Sequence, residues 1–220
     1  MTGRRLLARG WPVFVPVVVL NATAQAALVA PFLTPGTSAG FIALAALSGA
    51  ALVVALVLVV GRAVALAASP GGAVATPGAR VPRPPYRVPP LRLWIAGLVT
   101  LAVLGASAIV FAPLVVIAAT AVLLTLPSVA YGAGWSAGFR MFGARPFRTI
   151  IRCLLTVALL GLLWLIALAL GFLITGVAGA ALTWLVFGVA AVLLVCWWTA
   201  ALAHAATVER KLFLRNPQEQ

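Results

Sequence analysis

Acidic residues are nearly absent from this chain. None of its 220 residues is an aspartate, and the only glutamates, Glu209 and Glu219, lie within the last twelve positions. Enzymes that act on lipid pyrophosphates generally need carboxylates to hold their metal ions, so this class of enzyme is disfavoured. The two cysteines, Cys153 and Cys196, and the single histidine have no metal-ligand spacing, and no P-loop is present. The sequence therefore predicts no metal and no other cofactor.

Charged residues are also scarce. They make up 8% of the chain, whereas 65% of the residues are apolar. A soluble domain usually has about 25% charged residues, so this chain could not cover a water-facing surface. Its apolar runs do not alternate with polar residues, which argues against a transmembrane barrel. Runs of roughly 20 apolar residues predict helices that cross a bilayer. The predicted fold class is all-α, a polytopic transmembrane helix bundle.

Six spans are predicted, arranged as three hairpins in a single membrane domain. The stretch Leu93–Tyr131 would be about 58 Å long as one helix, which exceeds one crossing, so we place a turn at Phe111–Pro113. The spans then cover residues 11–33, 41–61, 93–111, 114–133, 153–175 and 181–205. The segment 69–92, rich in proline and arginine, and the basic segment 134–152 are predicted to be loops.

Positive charge is confined to one side of this arrangement. With six crossings, all 15 lysine and arginine residues lie on the side of the N-terminus, and the three turns on the other side carry no charge. Positive residues next to spans stay in the cytoplasm, so both termini are predicted to be cytoplasmic. Fourteen of the 15 are arginines, which is typical of a GC-rich bacterial genome. The predicted location is therefore the bacterial plasma (inner) membrane.

A cleaved signal peptide is an alternative interpretation of the first span. Arg4 and Arg5 precede an apolar run, and Ala24-Gln25-Ala26 fits a cleavage site. The apolar stretch continues to Leu33, however, and is long enough to span, so a retained helix is favoured. Cleavage would leave five spans and an N-terminus outside the cell.

Asn21 and Gln25 are the most polar pair within a span. They are four residues apart, so they share one helix face, and they are predicted to lie near the middle of the bilayer. Such amides usually hydrogen-bond to a neighbouring helix; the alternative is a binding site formed by these two residues. No aspartate, glutamate, lysine or arginine lies in the core of a span, which disfavours a proton- or sodium-coupled carrier.

The stretch Gly134–Gly138 matches the serine-hydrolase pattern G-x-S-x-G, with Ser136 at the nucleophile position. A helix rather than a strand precedes it, and His204 would have to act without an acidic third member. The same glycines also fit G-x-x-x-G, a pattern for close helix packing, and we favour that interpretation. No catalytic residue is predicted, and the chain is predicted not to be an enzyme.

The basic residues predict contact with membrane lipids. Anionic headgroups attract cationic segments by about 1 kcal/mol per residue. The arginines expected to contact headgroups are Arg80, Arg83, Arg87, Arg92, Arg140, Arg145, Arg148 and Arg152. The net charge of +13 does not indicate nucleic-acid binding, because these residues stand between spans rather than on a soluble face. The proline-rich segment 69–92 is either a semi-rigid linker or a ligand for a cytoplasmic partner.

A short pattern between the fourth and fifth spans resembles a known family. A small-residue helix end leads into a long apolar span through Gly138-Phe139-Arg140 and Gly143-Ala144-Arg145-Pro146-Phe147-Arg148. This resembles bacterial six-span membrane proteins similar to the membrane domain of glycerophosphodiester phosphodiesterases. The resemblance covers about the last 90 residues. It implies no catalytic residue here, because the membrane domain of that family is not its enzymatic part.

Three functions are compatible with the sequence. The first is a non-catalytic accessory or assembly subunit of a larger membrane complex, or of a homo-oligomer. Its helices would associate through small residues that let backbones approach closely, namely Ser48, Gly49, Gly97, Gly105 and Gly161. The second is a small permease or lipid-handling transporter component with a site at Asn21 and Gln25. The third and least favoured is an intramembrane serine hydrolase.

Overall fold

The computed structural model of this chain describes residues 2–30, 38–68 and 91–215, without the side chains of residues 144 and 205–215. Within these ranges the chain forms helices joined by short turns and contains no strand, which confirms the predicted fold class. The α-helices are α1 (Gly3–Val29), α2 (Ala39–Ala68), α3 (Leu91–Val110), α4 (Leu114–Tyr131), α5 (Arg140–Ala144), α6 (Pro146–Leu173) and α7 (Gly176–Arg215). A single turn of 3-10 helix, η1 (Trp135–Ala137), lies between α4 and α5. Six of the described helices are long and apolar enough to cross a membrane, so this is a multi-pass membrane protein.

Several helices begin or end beyond the limits of the predicted spans. α1 begins at Gly3 rather than near residue 11, and α2 continues to Ala68 rather than ending near residue 61. Hydropathy marks only the part of a helix that lies in hydrocarbon, whereas backbone hydrogen bonding continues into the interfacial layer. The predicted turn after the third span is present, because α3 ends at Val110 and α4 begins at Leu114.

The prediction of a loop over residues 134–152 is wrong. η1, α5 and the first two turns of α6 occupy this segment. Pro146 takes the first position of α6, where its missing N–H breaks no hydrogen bond. The Thr149 hydroxyl lies 2.9 Å from the carbonyl oxygen of Arg145 and 3.1 Å from that of Met141, and so it joins α6 to α5. Of the other predicted loop, residues 69–90 lie outside the described residues, and Leu91 begins α3.

The described arginines gather at one end of the bundle, which we call the basic end. It comprises the starts of α1, α3 and α6, the ends of α2 and α4, and the second half of α7. Contacts across helices show that these parts meet: Gly3 lies against the backbone of Trp197, and the Arg92 guanidinium lies over Gly132. The opposite end, where the predicted turns carry no charge, is the uncharged end. The helices therefore alternate in direction, as six successive crossings require.

Buried side chains are concentrated in the half of the bundle next to the basic end. In α2 they begin at Val53, in α3 they end at Thr100, and in α4 they begin at Thr120. In α6 the last buried side chain is Leu163, and in α7 the buried hydrophobic residues begin at Ala190. The helices are thus packed together at the basic end and are largely uncovered at the uncharged end.

α1 is the exception, because one of its faces is buried along nearly the whole helix. Its buried residues recur at nearly every turn from Leu6 to Ala26. It packs most extensively against α7 and next against α2. Close approach to α7 is possible at Gly188, where an added Cβ would lie 2.7 Å from Val18 Cγ1. Among the described helices α1 contacts only α7 and α2, whereas α7 contacts every other α-helix except α3 and is the central helix.

Candidate functional site

Gln25 is bound to a neighbouring helix. Its side chain is only 3% exposed. Its Nε2 donates to the carbonyl oxygen of Ser48 at 3.1 Å, and its Oε1 accepts from the Ser48 hydroxyl at 2.6 Å. These two hydrogen bonds join α1 to α2 and leave little of the amide free. Gln25 therefore links helices, as amides within spans usually do, and its proposed role in ligand binding stays a prediction.

Asn21 differs from Gln25 although it lies on the same face one turn earlier. Its residue is partly buried, and its Oδ1 is a buried atom with no hydrogen-bond partner. An unsatisfied buried acceptor costs about 1–3 kcal/mol. Asn21 thus keeps an acceptor that a donor on an incoming molecule could use. The sequence groups Asn21 and Gln25 as one candidate site, whereas in the structure Gln25 is hydrogen-bonded to α2 and the Oδ1 of Asn21 has no partner.

The Gln25–Ser48 contact predicts a measurable coupling. In a double-mutant cycle with Gln25→Leu and Ser48→Ala, we expect a coupling energy of about 0.6–1.7 kcal/mol, the range found for hydrogen bonds between membrane helices. Asn21→Leu is the control: it removes an unpaired acceptor, so stability should stay the same or rise. Unfolding in mixed detergent micelles, followed by circular dichroism, measures all four variants. Additive single effects would show that the contact stabilises nothing.

The segment after α4 folds back against that helix. Gly132 and Gly134 have φ angles of +87° and +81°, which favour glycine. The Ser128 hydroxyl lies 2.8 Å from the carbonyl oxygen of Gly134 and 2.6 Å from that of Thr125, and so it holds the turn to the helix. η1 and α5 are therefore anchored to α4 instead of extending into water.

Gly138 allows the closest approach in this segment. A Cβ added there would collide with the carbonyl oxygen of Leu124 and lie 3.2 Å from the Cα of Thr125. At Gly134, by contrast, an added Cβ would meet nothing within 4 Å. Of the predicted close-packing pair, only Gly138 packs closely, and Gly134 is required for its positive φ.

Ser136 and His204 are both exposed. η1, which carries Ser136, packs on α4 and α5. Among the residues with described side chains, no hydrogen bond joins Ser136 to His204. The structure therefore adds nothing in favour of a serine hydrolase, and the absence of catalysis stays a prediction.

The arginines predicted to contact lipid headgroups fall into three groups. Arg80, Arg83 and Arg87 lie outside the described residues. Arg92 is exposed, and its guanidinium lies over Gly132 at the C-terminal end of α4, where the helix carbonyls favour a cation. The remaining four are on α5 and around the start of α6, at the basic end: Arg140, Arg145, Arg148 and Arg152.

The small residues predicted to support association between chains divide in two. Ser48, Gly49 and Gly97 serve contacts within the chain: an added Cβ on Gly97 would lie 3.1 Å from Val53 Cγ1, and one on Gly49 would lie 2.9 Å from Leu101 Cδ2. At Gly105 and Gly161 an added Cβ would meet nothing within 4 Å. Only these two remain open to a second chain.

Comparison of this chain with protein-family models, curated proteins and solved structures gives no match. The resemblance to membrane domains of glycerophosphodiester phosphodiesterases therefore stays a prediction.

Proposed function

We propose that this chain is a non-catalytic subunit of a larger assembly in the bacterial plasma membrane. The observation that carries the proposal is the uneven burial of the bundle. Its helices cover one another near the basic end, whereas in the other half α1 alone among the described helices carries several buried side chains. Helices of a partner, or of a second copy, would complete the packing in that half.

The same proposal places both termini in the cytoplasm. It is supported by the grouping of the described arginines at one end, together with the absence of charge in the connecting turns of the sequence. Positive residues resist translocation, so the basic end would face the cytoplasm and the uncovered half would lie in the outer leaflet. Membrane lipids with anionic headgroups would contact the basic end.

α6 provides the most accessible surface for a partner. In its apolar window 11% of the residues are buried, against 44% in α4. Gly161 lies on this helix, and an added Cβ there would meet nothing within 4 Å, although glycine in a helix costs about 1 kcal/mol relative to alanine. Gly97 and Gly49 use the same lack of a side chain to seat a neighbouring helix. We infer that Gly161 seats a helix of a partner in the same way.

Gly161→Leu tests this assignment. The larger side chain should leave the isolated chain folded, because an added Cβ at Gly161 meets nothing within 4 Å. It should reduce recovery of the partner or homo-oligomer at least about tenfold, which corresponds to a loss of ~1.4 kcal/mol in binding free energy. Chemical crosslinking in native membranes, followed by purification in mild detergent, measures the recovery. Gly105→Leu adds the same volume at the other open glycine, on α3, and shows whether that helix seats the partner instead. A wild-type chain that remains monomeric after crosslinking would contradict the proposal, as would full recovery with Gly161→Leu.

A small permease or lipid-handling component is the second candidate. The unpaired Oδ1 of Asn21 favours it, because a bound molecule with a donor group would satisfy that atom. The Asn21→Leu variant described above serves here also. Because the Asn21→Leu variant is expected to fold, any loss of solute or lipid transport that it causes would indicate a substrate-binding site at Asn21.

A further inference from the structure

Three arginines share one face at the start of α6. Arg145 is the N-cap of this helix, and Arg148 and Arg152 follow three and seven residues later. This spacing places the three side chains on the same side of the helix. Arg145 and Arg152 are partly buried and Arg148 is exposed. The charges are close enough for Arg148 and Arg145 both to repel Arg152. We call this group the arginine triad.

The arginine triad is electrostatically unfavourable by itself. A helix N-terminus carries partial positive charge, so cations there are destabilising, and like charges one turn apart repel each other. No carboxylate is present among the described side chains, since those of Glu209 and Glu219 are outside that set. The positive-inside rule requires cations on this side of the membrane, but it does not require three on one helix face. An anion would remove this repulsion.

The surroundings of the triad place it at the level of lipid headgroups. Phe147, between Arg145 and Arg148 in sequence, is 75% exposed, and Phe139 and Trp135 nearby are also exposed. Exposed aromatic side chains are typical of the membrane interface. Backbone N–H groups usually help a helix N-terminus to bind phosphate, but Pro146 removes one of them. The guanidinium groups would therefore provide the contacts, and their paired N–H groups match phosphate oxygens.

We propose that Arg145, Arg148 and Arg152 together bind the phosphate of one anionic phospholipid from the adjacent leaflet. This inference does not depend on the proposed partner subunit. It narrows the expected lipid contact from eight arginines to three that share one helix face. Thr149 joins α5 to α6 beside the triad. A headgroup bound to the triad would therefore also stabilise the junction of these two helices.

The test compares two variants that remove the same charge. Arg148→Gln/Arg152→Gln alters the triad, whereas Arg4→Gln/Arg5→Gln alters exposed arginines of α1 at the same end. The full chain in neutral detergent is titrated with dihexanoyl phosphatidylglycerol, dihexanoyl phosphatidylcholine or inorganic phosphate, and native mass spectrometry measures binding. The triad variant should lose affinity for phosphatidylglycerol at least about tenfold, as expected for two interfacial cations. The α1 variant should keep its affinity.

Several outcomes would overturn the assignment. Equal losses in both variants would show a diffuse attraction to the basic end instead of a site. Equal affinity of the wild type for phosphatidylcholine would contradict recognition of an anionic lipid, and equal affinity for inorganic phosphate would indicate a free-anion site. If the wild type does not bind phosphatidylglycerol but the Glu209→Gln variant does, Glu209 is the counter-ion of the arginine triad. The variant Arg148→Lys/Arg152→Lys keeps both charges and serves as a second test in case the glutamine variant misfolds. An affinity for phosphatidylglycerol between those of the wild type and the glutamine variant supports paired guanidinium contacts. An affinity as low as that of the glutamine variant, in a folded chain, contradicts a phosphate site.

Discussion

Trp198→Ala is expected to lower the free energy of unfolding by about 3–5 kcal/mol, the usual cost of removing a buried tryptophan. Trp198 is fully buried on α7, in a cluster with Leu124 of α4 and Met141 of α5. Its Nε1 donates to the Thr156 hydroxyl of α6 at 3.2 Å. One side chain thus contacts or bonds to three other helices. Truncation would open a void among them and remove many dispersion contacts at once.

Two comparisons separate the contributions of Trp198. Trp164→Ala on α6, where the side chain is 45% exposed, should change stability by less than about 1 kcal/mol. Trp198→Phe keeps most of the ring but removes the N–H, so about 1 kcal/mol of the loss should be the hydrogen bond. Denaturation in mixed detergent micelles, followed by circular dichroism, measures each value. If Trp198→Ala costs no more than Trp164→Ala, the buried cluster does not hold these helices together.

Gly138→Ala should destabilise the chain by about 1–3 kcal/mol through overpacking. The new methyl group would meet the carbonyl oxygen of Leu124, which belongs to the backbone of α4 and cannot rotate away as a side chain could. Relief of the clash would require η1 and α5 to move off α4. Because α6 follows directly after α5, the arginine triad would move too.

Gly143→Ala is the matched control for Gly138→Ala, because both replace a glycine between η1 and α6 by the same residue. An added Cβ on Gly143 meets nothing within 4 Å, and alanine is favoured over glycine in a helix by about 0.5–1 kcal/mol. Thermal denaturation in detergent should therefore show opposite shifts for the two variants. Equal shifts would mean that the approach of Gly138 to α4 carries no energetic weight.

The number and direction of the helices could be predicted from the sequence because they depend on local quantities. Span length follows from the bilayer thickness, and the need for a turn near Pro113 follows from the length of the apolar run between Leu93 and Tyr131. The positions of charges are likewise read directly from the chain. The start of α6 at Pro146 was missed because charge marks the edge of the hydrocarbon and not the end of a helix.

Packing could not be predicted because lipid and protein interior are equally apolar. A leucine that faces lipid and one that faces another helix have the same hydropathy. The composition therefore does not reveal that buried residues are concentrated near the basic end. Gln25 has a partner because Ser48 of α2 lies opposite it, and Asn21 has none for its Oδ1. Residues 134 and 138 are both glycine, and only the structure shows that Gly134 is needed for its positive φ and Gly138 for its close approach to α4.

The pairing of α1 with α7 has a consequence for biogenesis. Its most extensive contact is with α7, and 146 residues lie between the end of α1 and the start of α7. The ribosome therefore releases α1 long before its main neighbour, the central helix, exists. During that interval α1 must wait in the bilayer with only α2 beside it, its remaining surface covered by lipid or by the insertion machinery. Contacts between such distant segments form slowly, so closure of α7 onto α1 would be a late step in assembly.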